Sequence, residues 1–251
     1  MAKNFQKILL PSKCLAYDGI DRNGIQISQL TGEEERILSE TNVSNFDKKI
    51  LEVFQNIIQG VEPHRLTLGD RMYILIWEIM NSFSDDLPVT YICLDCEHKV
   101  SVTGKLSTME VLELPDTFKQ PVDKILPCGK RVKLRLLTSG DEAAVVDYEN
   151  KGGDGWSYRY ASTIVSGDDI FKRMEFYKSL SMKDTASVRA FQDEYSHGPD
   201  MQIKAKCPEC GKEELVSIPF RLEFLFPTGP ELIRNYGSGV PTDVVAENIK
   251  I

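Results

Sequence analysis

The chain has 251 residues, of which 41% are hydrophobic and 27% charged, a composition that excludes a disordered chain and allows two small domains or one large unit. Its formal net charge of -8 argues against a general nucleic-acid-binding protein, because phosphate contacts need clustered Lys and Arg. The first ten residues lack the apolar stretch of an export signal, and no segment reaches the roughly 18 apolar residues of a membrane span. We therefore expect a soluble, unexported protein without a membrane span.

The first predicted elements are a strand at 25–30 and a helix that starts at Thr31. Glu34 follows Thr31 by three residues, and the segment is interpreted as the start of a capped helix. A second helix is predicted at 44–60, where Ser44 starts the helix and apolar residues recur at helical spacing. These apolar residues are Ile50, Leu51, Phe54, Ile57 and Ile58.

A third helix is predicted to start at Thr67, which precedes Asp70 by three residues, since the carboxylate favours the positive end of the helix. Its apolar residues are Met72, Leu75, Ile76, Ile79, Met80 and Phe83. The segment that follows, around Cys93 and Cys96, has β-prone residues on both sides and predicts two strands joined by a cysteine turn.

The second part of the chain repeats this order. A strand from residue 132 leads to Thr138, which precedes Asp141 by three residues. The glycine-rich segment 151–156 is predicted as a turn or loop, and a helix is predicted at 168–180 as the counterpart of the helix at 44–60. The last predicted helix starts at a Ser–Asp pair and is followed by a second strand pair with a cysteine turn; its residues are Ser181, Asp184, Val188, Phe191 and Tyr195.

These similarities occur at nearly constant offsets along the chain. The second cysteine pair follows the first by 114 residues, and residues 180–184 follow 66–70 by the same distance. Residues 132–142 resemble 25–35 at an offset of 107 residues, which a short difference in loop length explains. Ordered internal similarity of this kind predicts a duplication.

We therefore predict an α+β fold with two pseudo-repeated halves, 1–107 and 108–227. Each half is expected to contain a strand, a capped helix, further helices and a strand pair with a cysteine knuckle. The Gly- and Pro-containing segment 228–251 is predicted as a tail that is flexible or is ordered by a partner. Before it, alternation of Phe and Leu at 218–227 predicts a strand with one apolar face, which is core or, if exposed, a protein contact.

Four cysteines carry the most specific pattern in the sequence. Two residues separate the thiols of each pair, so both sulfurs can bind one ion, and two knuckles together offer the four-sulfur environment that zinc accepts. We predict a split zinc ribbon with the ligands Cys93, Cys96, Cys207 and Cys210. Because 110 residues separate the two pairs, the ion would join the two halves, and a closed four-thiolate site would be structural.

Two alternatives to this site stay open. His98 could replace one cysteine, although a histidine in a surface hairpin is the favoured interpretation. Each pair could also be a redox Cys-x-x-Cys motif, but redox motifs usually sit at a strand-to-helix junction rather than in a hairpin.

No motif for catalysis is present. The three histidines, His64, His98 and His197, lie in no recognisable catalytic pattern, and phosphate-binding and nucleophile-elbow motifs are absent. Cys128 could be a nucleophile, but the sequence pairs no base with it, and Cys14 is also unassigned. We therefore predict a protein that is not an enzyme and has no small-molecule substrate.

A family resemblance rests on four short segments together with the cysteine knuckles. They are Leu-Pro-Ser-Lys at 10–13, Tyr-Asp-Gly at 17–19, Leu-Thr-Gly-Glu-Glu-Glu at 30–35 and Phe-Leu-Phe-Pro at 224–227. Together they resemble the baseplate hub assembly proteins of T-even-type tailed bacteriophages. This resemblance implies an assembly factor or minor structural component of a contractile-tail baseplate hub, in contact with other baseplate or hub proteins. It also implies a location in the host cytoplasm during assembly, and in the virion tail baseplate if the protein is retained.

The second candidate function is that of a zinc-ribbon protein that binds nucleic acid or takes part in transcription. It requires a basic face, which the composition does not indicate. A thiol oxidoreductase is the third possibility and requires an exposed cysteine of low pKa.

Overall fold

A computed structural model of the chain describes residues 3–218, apart from the side chain of Pro88. The predicted strand at 218–227, beyond its first residue, and the predicted tail at 228–251 lie outside the described residues. The chain divides into two compact units. The first unit consists of Met1–Tyr73 and Leu112–Gly198, and the second of Ile74–Val111 and Pro199–Ile251. Each unit therefore draws residues from both predicted halves.

The described part of the chain contains helices and several small sheets, as the predicted α+β class requires. The helices are α1 (Gly32–Ser39), α2 (Phe46–Ile57), α3 (Leu68–Ser82), α4 (Ser139–Glu149), α5 (Gly155–Ser162), α6 (Ile170–Ser179) and α7 (Met182–Glu194), with 3-10 turns at Pro63–Arg65 and Leu106–Thr108. The strands are β1 (Gln6–Lys7), β2 (Gln26–Ile27), β3 (Ile58–Gln59), β4 (Asp86–Ile92), β5 (Lys99–Lys105), β6 (Val111–Leu112), β7 (Val122–Ile125), β8 (Arg131–Leu134), β9 (Ile164–Val165), β10 (Gly198–Pro199), β11 (Gln202–Lys206) and β12 (Glu213–Ser217).

Two antiparallel three-stranded sheets lie in the first unit and have the same order. One is β1-β2-β3 and the other is β7-β8-β9, so in both the second strand along the chain is central. Each central strand leads into a helix that starts at a threonine. The Thr31 N–H donates to Glu34 at 2.9 Å and the Thr138 N–H donates to Asp141 at 2.9 Å. Both helices were predicted to be capped, and in the structure each begins with a capping box.

Two further helix starts hold distant loops through a buried aspartate. At the start of α3, Asp70 Oδ1 accepts the backbone N–H of Ser12 at 2.8 Å, and at the start of α7, Asp184 Oδ1 accepts the backbone N–H of Cys128 at 2.9 Å. Ser12 and Cys128 each follow a proline in matching lead-in segments of the sequence. The acids that cap the helices therefore also fix the loops that enter the two sheets.

The core of the first unit follows the sheet pattern. Strand β8 alternates exposed and buried residues, so that its apolar residues face the helices. Around them lies one cluster of buried apolar residues from this sheet, its flanking loops and α5, α6 and α7. Its members are Leu114, Phe118, Leu126, Val132, Leu134, Leu136, Ala161, Ile164, Met174, Tyr177, Val188 and Phe191.

Three predicted boundaries need correction. The segment 151–156 is not entirely a loop, because the Asp154 side chain accepts the Ser157 N–H and α5 begins at Gly155. Helix α2 begins at Phe46 rather than Ser44 and ends before Gly60, since its last turn gives way to β3, which pairs with β2. Phe83 lies beyond the end of α3 and is 40% exposed, so it is not part of the buried stripe.

The second unit contains two antiparallel hairpins, β4-β5 and β11-β12. Both segments that were predicted as strand, cysteine turn and strand have this form. Their registers match, because in both hairpins the residue before the first cysteine pairs with the third residue after the second cysteine. These pairs are Ile92 with Lys99 and Lys206 with Glu213.

In the described part of the chain, no helix combines the length and apolar character needed to cross a membrane.

The hydrogen bonds of Asp70 provide a test of its role in binding a distant loop at the start of α3. Replacement of Asp70 by Ala leaves the buried Ser12 N–H and Tyr17 hydroxyl without this acceptor, and an unsatisfied buried donor costs about 1–3 kcal/mol. We expect Asp70→Ala to lower the free energy of unfolding by at least about 2 kcal/mol in urea denaturation. The exposed Asp168→Ala is the matched control and should change it by less than about 0.5 kcal/mol. Equal effects of the two variants would contradict this role.

The Asp184 contacts predict a pH dependence. The Ser181 hydroxyl and then the Cys128 N–H donate to this carboxylate and lower the pKa of Asp184. Such an acid stabilises the folded state above its unfolded pKa of about 3.9, and the contribution is lost as the pH falls through the lower folded pKa. We expect Asp184→Asn to be destabilising at pH 7 and the difference from the unsubstituted protein to shrink below about pH 4. Urea denaturation across this range measures it, and a pH-independent difference would count against it.

Candidate metal centre

The four predicted cysteines meet in the second unit, at the turns of its two hairpins. All four sulfur atoms lie within 4.8 Å of one another. The Cys93 and Cys210 sulfurs are 3.6 Å apart, as are the Cys96 and Cys207 sulfurs, so the short distances join one hairpin to the other. All four cysteines are free thiols.

The two turns have the same backbone hydrogen bonds. In each, the first cysteine donates its N–H to the residue five positions later and accepts, through its carbonyl, the N–H of the residue four positions later. The bonds are Cys93 to His98 (2.9 Å), Glu97 to Cys93 (3.0 Å), Cys207 to Lys212 (2.8 Å) and Gly211 to Cys207 (2.9 Å). The cysteines of both pairs are therefore presented by the same backbone conformation.

One residue in each turn adopts a left-handed conformation directly after the second cysteine. It is Gly211 at φ 75° in the second turn, as its residue type suggests, and Glu97 at φ 58° in the first. A glutamate carries no signal for this conformation, and a non-glycine residue adopts it at some cost. The hydrogen bonds of the turn impose it on both residues.

The pKa values of the Cys207 and Cys96 thiols differ widely, because the surroundings of the two sulfurs differ. The N–H groups of Cys210 and Glu209 point at the Cys207 sulfur and lower the pKa of Cys207 to about 7. The His98 N–H has the same effect on Cys96, but burial and the neighbouring thiols outweigh it and raise the pKa of Cys96 to about 12. Because ligand thiols must lose their protons, metal binding here would release protons and would weaken as the pH falls.

The cluster fits zinc in donor type and in size. Four sulfurs at about 2.3 Å from a zinc ion form a tetrahedron with edges of about 3.8 Å, close to the two sulfur distances of 3.6 Å between the hairpins. Cys93 and Cys207 are buried, while Cys96 and Cys210 are exposed. His98 is not among the clustered ligands in the described residues, so the cysteines make up the set without it. Four sulfur donors leave no open position for a substrate or water.

The remaining cysteines lie apart from this cluster, in the first unit. Burial, with a smaller effect of the Asp70 charge, raises the pKa of Cys14 to about 11. Cys128 is exposed, and its backbone N–H binds Asp184. Among the described residues, no hydrogen bond joins either cysteine to an imidazole, and both lie in the loops that Asp70 and Asp184 bind.

A buried polar network around Thr67 was not anticipated from the sequence. The Tyr17 hydroxyl donates to Asp70 and accepts the Thr67 N–H at 2.9 Å. His197 directs Nδ1 to the Tyr195 carbonyl at 2.9 Å, so Nδ1 carries the proton and Nε2 accepts the Thr67 hydroxyl at 2.6 Å. Thr67 is 1% exposed, which keeps its hydroxyl away from any substrate in solution. The sequence indicated Thr67 only as the start of a helix. Its partners Tyr17 and His197 are 50 and 130 residues away in the sequence, so no local pattern points to them.

Comparison with known proteins supplies the family. No curated protein and no solved structure matches the chain. A family model described as "T4 bacteriophage base plate protein" matches residues 17–226, which is most of the chain. The match includes the knuckles, both sheet-to-helix connections and the helix starts that hold the loops. The chain therefore belongs to the family of T4 bacteriophage base plate proteins, as the resemblance of its short segments indicated.

Proposed function

We propose that this protein is a non-enzymatic assembly factor or minor structural component of a phage baseplate hub and acts through contacts with other baseplate proteins. The family match over residues 17–226 carries this proposal. The protein would work in the host cytoplasm during assembly and would be found in the virion tail baseplate if retained. The closed cysteine cluster and the buried position of Thr67 favour a binding role over catalysis.

The second unit is proposed to bind one structural zinc ion through Cys93, Cys96, Cys207 and Cys210. Support comes from the distances between the sulfurs and from the matched backbone of the two turns. In its described residues, the unit consists mainly of two hairpins and a helical segment, and small scaffolds usually need a metal or a disulfide. One ion would link two chain segments that lie 110 residues apart in sequence.

The duplication of the chain is also a proposal, with halves 1–107 and 108–227. It is supported by the common sheet order, the two capping boxes, the two aspartate-to-loop bonds and the matched hairpin registers. The sheet order aligns β9 with β3, which makes α5 rather than α6 the counterpart of α2. Helix α6 then takes the place of the short 3-10 turn at Pro63–Arg65.

Protein contacts are favoured by an aromatic surface on the first unit. Trp156 is 59% exposed, packs edge-on against Tyr160 and lies under the Arg189 guanidinium, which is 5.8 Å from the ring centroid. Trp, Tyr and Arg are the residues that most often dominate the energy of protein interfaces. We call these three residues the Trp156 surface and propose it as a contact for another baseplate protein.

The nucleic-acid-binding alternative lacks a supporting observation in the second unit. The exposed charges around its turns are mixed, with Asp95, Glu97, Glu209 and Glu213 beside Lys99, Lys204, Lys206 and Lys212. A basic face is therefore not formed there. The redox alternative has one favourable observation, the lowered pKa of Cys207, and the metal analysis below separates it from the zinc proposal.

Metal content tests the zinc proposal. We expect about one zinc ion per chain in protein purified without added metal, and a lower melting temperature after treatment with a strong chelator. Cys96→Ser should abolish stoichiometric zinc and the effect of the chelator. Cys128→Ser, an exposed cysteine outside the cluster, should keep both. A metal-free, fully folded protein with a reactive Cys207 would overturn the zinc proposal and favour redox chemistry.

Capture from phage-infected cells tests the role in the baseplate. The tagged protein should retain other baseplate or hub proteins of the phage, and Trp156→Glu should reduce their recovery at least tenfold because it places a charge in the contact. Val43→Glu, at a site that is 84% exposed in the same unit, is the matched control and should retain them. Recovery of nucleic acid without baseplate proteins would contradict the proposed function.

A further inference from the structure

The two cysteine turns differ at the position after the first cysteine. This residue is Leu94 in the first turn and Pro208 in the second. Proline has no backbone N–H, whereas Leu94 has one that its own turn does not use. The Leu94 N–H instead donates to Glu214 Oε1 at 3.0 Å. The acceptor comes from the other hairpin.

Glu214 is placed for this contact by the register of its hairpin. It lies on β12 opposite the small residue Ala205, and its side chain is on the same face of the strand as the buried Val216. Leu215, which lies between them on the opposite face of the strand, is 64% exposed. The Glu214 side chain is therefore directed towards the interior of the second unit rather than into solvent.

The same carboxylate oxygen also contacts a metal-ligand candidate. The Cys93 thiol donates to Glu214 Oε1 at 3.4 Å, while Oε2 is buried and has no hydrogen-bond partner among the described residues. A bound metal would convert this thiol to a thiolate and so remove it as a donor. The Leu94 N–H, at 3.0 Å from the same oxygen, would then remain as the donor that holds Glu214 in place.

We infer that Glu214 is a positioning residue for the cysteine cluster: it binds the Leu94 N–H and so holds the first turn, with the Cys93 sulfur, against the second turn. This inference rests on the proposed zinc site. Glu214 supplies no ligand itself, since the four sulfurs complete the set. The second turn needs no equivalent acceptor because Pro208 has no N–H at this position. Residues that position metal ligands without binding the metal themselves typically change the metal affinity 10–100-fold when they are substituted.

Zinc affinity, measured by competition with a chromophoric chelator, tests the inference. We expect Glu214→Ala to weaken zinc binding about tenfold or more. Glu214→Gln keeps an acceptor without the charge and should stay within about threefold of the unsubstituted protein. Glu213→Ala removes an exposed acid from the neighbouring position of the same strand and should have no effect. The cobalt(II) spectrum of each variant should retain the bands of a tetrahedral four-thiolate site.

A second substitution isolates the hydrogen bond. Leu94→Pro removes the donor and gives the first turn the sequence feature of the second, at a residue whose side chain is 58% exposed. If the contact acts as inferred, Glu214→Ala should weaken zinc binding in the normal background and have almost no further effect in the Leu94→Pro background. The comparison of the Glu214→Ala effect in the two backgrounds remains valid even if Glu214→Ala or Leu94→Pro by itself changes the stability of the protein.

Three results would overturn the inference while leaving the zinc site intact. They are a Glu214→Ala protein with undiminished affinity, a Glu214→Gln protein as weak as Glu214→Ala, and an equal effect of Glu214→Ala in both backgrounds. Absence of zinc from the unsubstituted protein would overturn the proposed zinc site and this inference together. The two failures are therefore distinguishable by the metal content of the unsubstituted protein.

Discussion

The convergence of four cysteine sulfurs is the constraint on which the second unit depends. Its hairpins come from segments that are far apart in the sequence, and two pairs of sulfurs, each 3.6 Å apart, join one hairpin to the other. Thiols contribute little attraction to one another, and the raised pKa of Cys96 opposes full ionisation of the cluster. The proposed zinc ion would offset both effects by binding thiolates directly. The matched turns would then serve to present four ligands at one point.

The first unit is organised by hydrogen bonds rather than by a metal. Asp70 and Asp184 each sit at a helix start, where the helix dipole favours a negative charge, and each binds the backbone N–H of a distant loop. A single carboxylate thus fixes a helix end and the chain that enters a sheet. Because both acids are buried, solvent competes poorly for these bonds. The contact occurs twice, in segments that also share strand order and caps, and this recurrence is the strongest structural support for the proposed duplication.

The proposed closed metal site and the buried polar network around Thr67 support the proposed role in binding rather than in catalysis. Each sulfur of the candidate site would be a ligand of the proposed structural zinc ion, and the Thr67 hydroxyl is enclosed by Tyr17 and His197. The exposed Trp156 surface is different, since its aromatic groups are only partly covered within the chain. A surface that contains Trp, Tyr and Arg is typical of protein contacts, which the proposed role in a baseplate requires. The family match and the physical character of the chain agree on this point.

The sequence by itself determined the features that depend on neighbouring residues. The capped helices that start at Thr31 and Thr138 and the two strand, turn and strand segments follow from spacing within a few residues, and the structure has each of them. The stripe of α2 is present at Ile50, Phe54 and Ile57, whereas Leu51 is half-buried and Ile58 belongs to β3. The four cysteines were identified because a Cys-x-x-Cys spacing is specific and occurs twice. Helix α5 was missed because its segment begins with glycines, while its start depends on a single Asp154 cap.

Only the tertiary structure decided which distant residues meet. The acceptor for the Leu94 N–H, the loops bound by Asp70 and Asp184, and the partners of Thr67 involve separations of 50 to 130 residues, for which no local pattern exists. The division into two units, each made of two segments, has the same origin. Local signals specify caps, turns and periodic faces because these arise from bonds between near neighbours. Long-range contacts depend on how all the faces pack together, which the order of residues encodes only collectively.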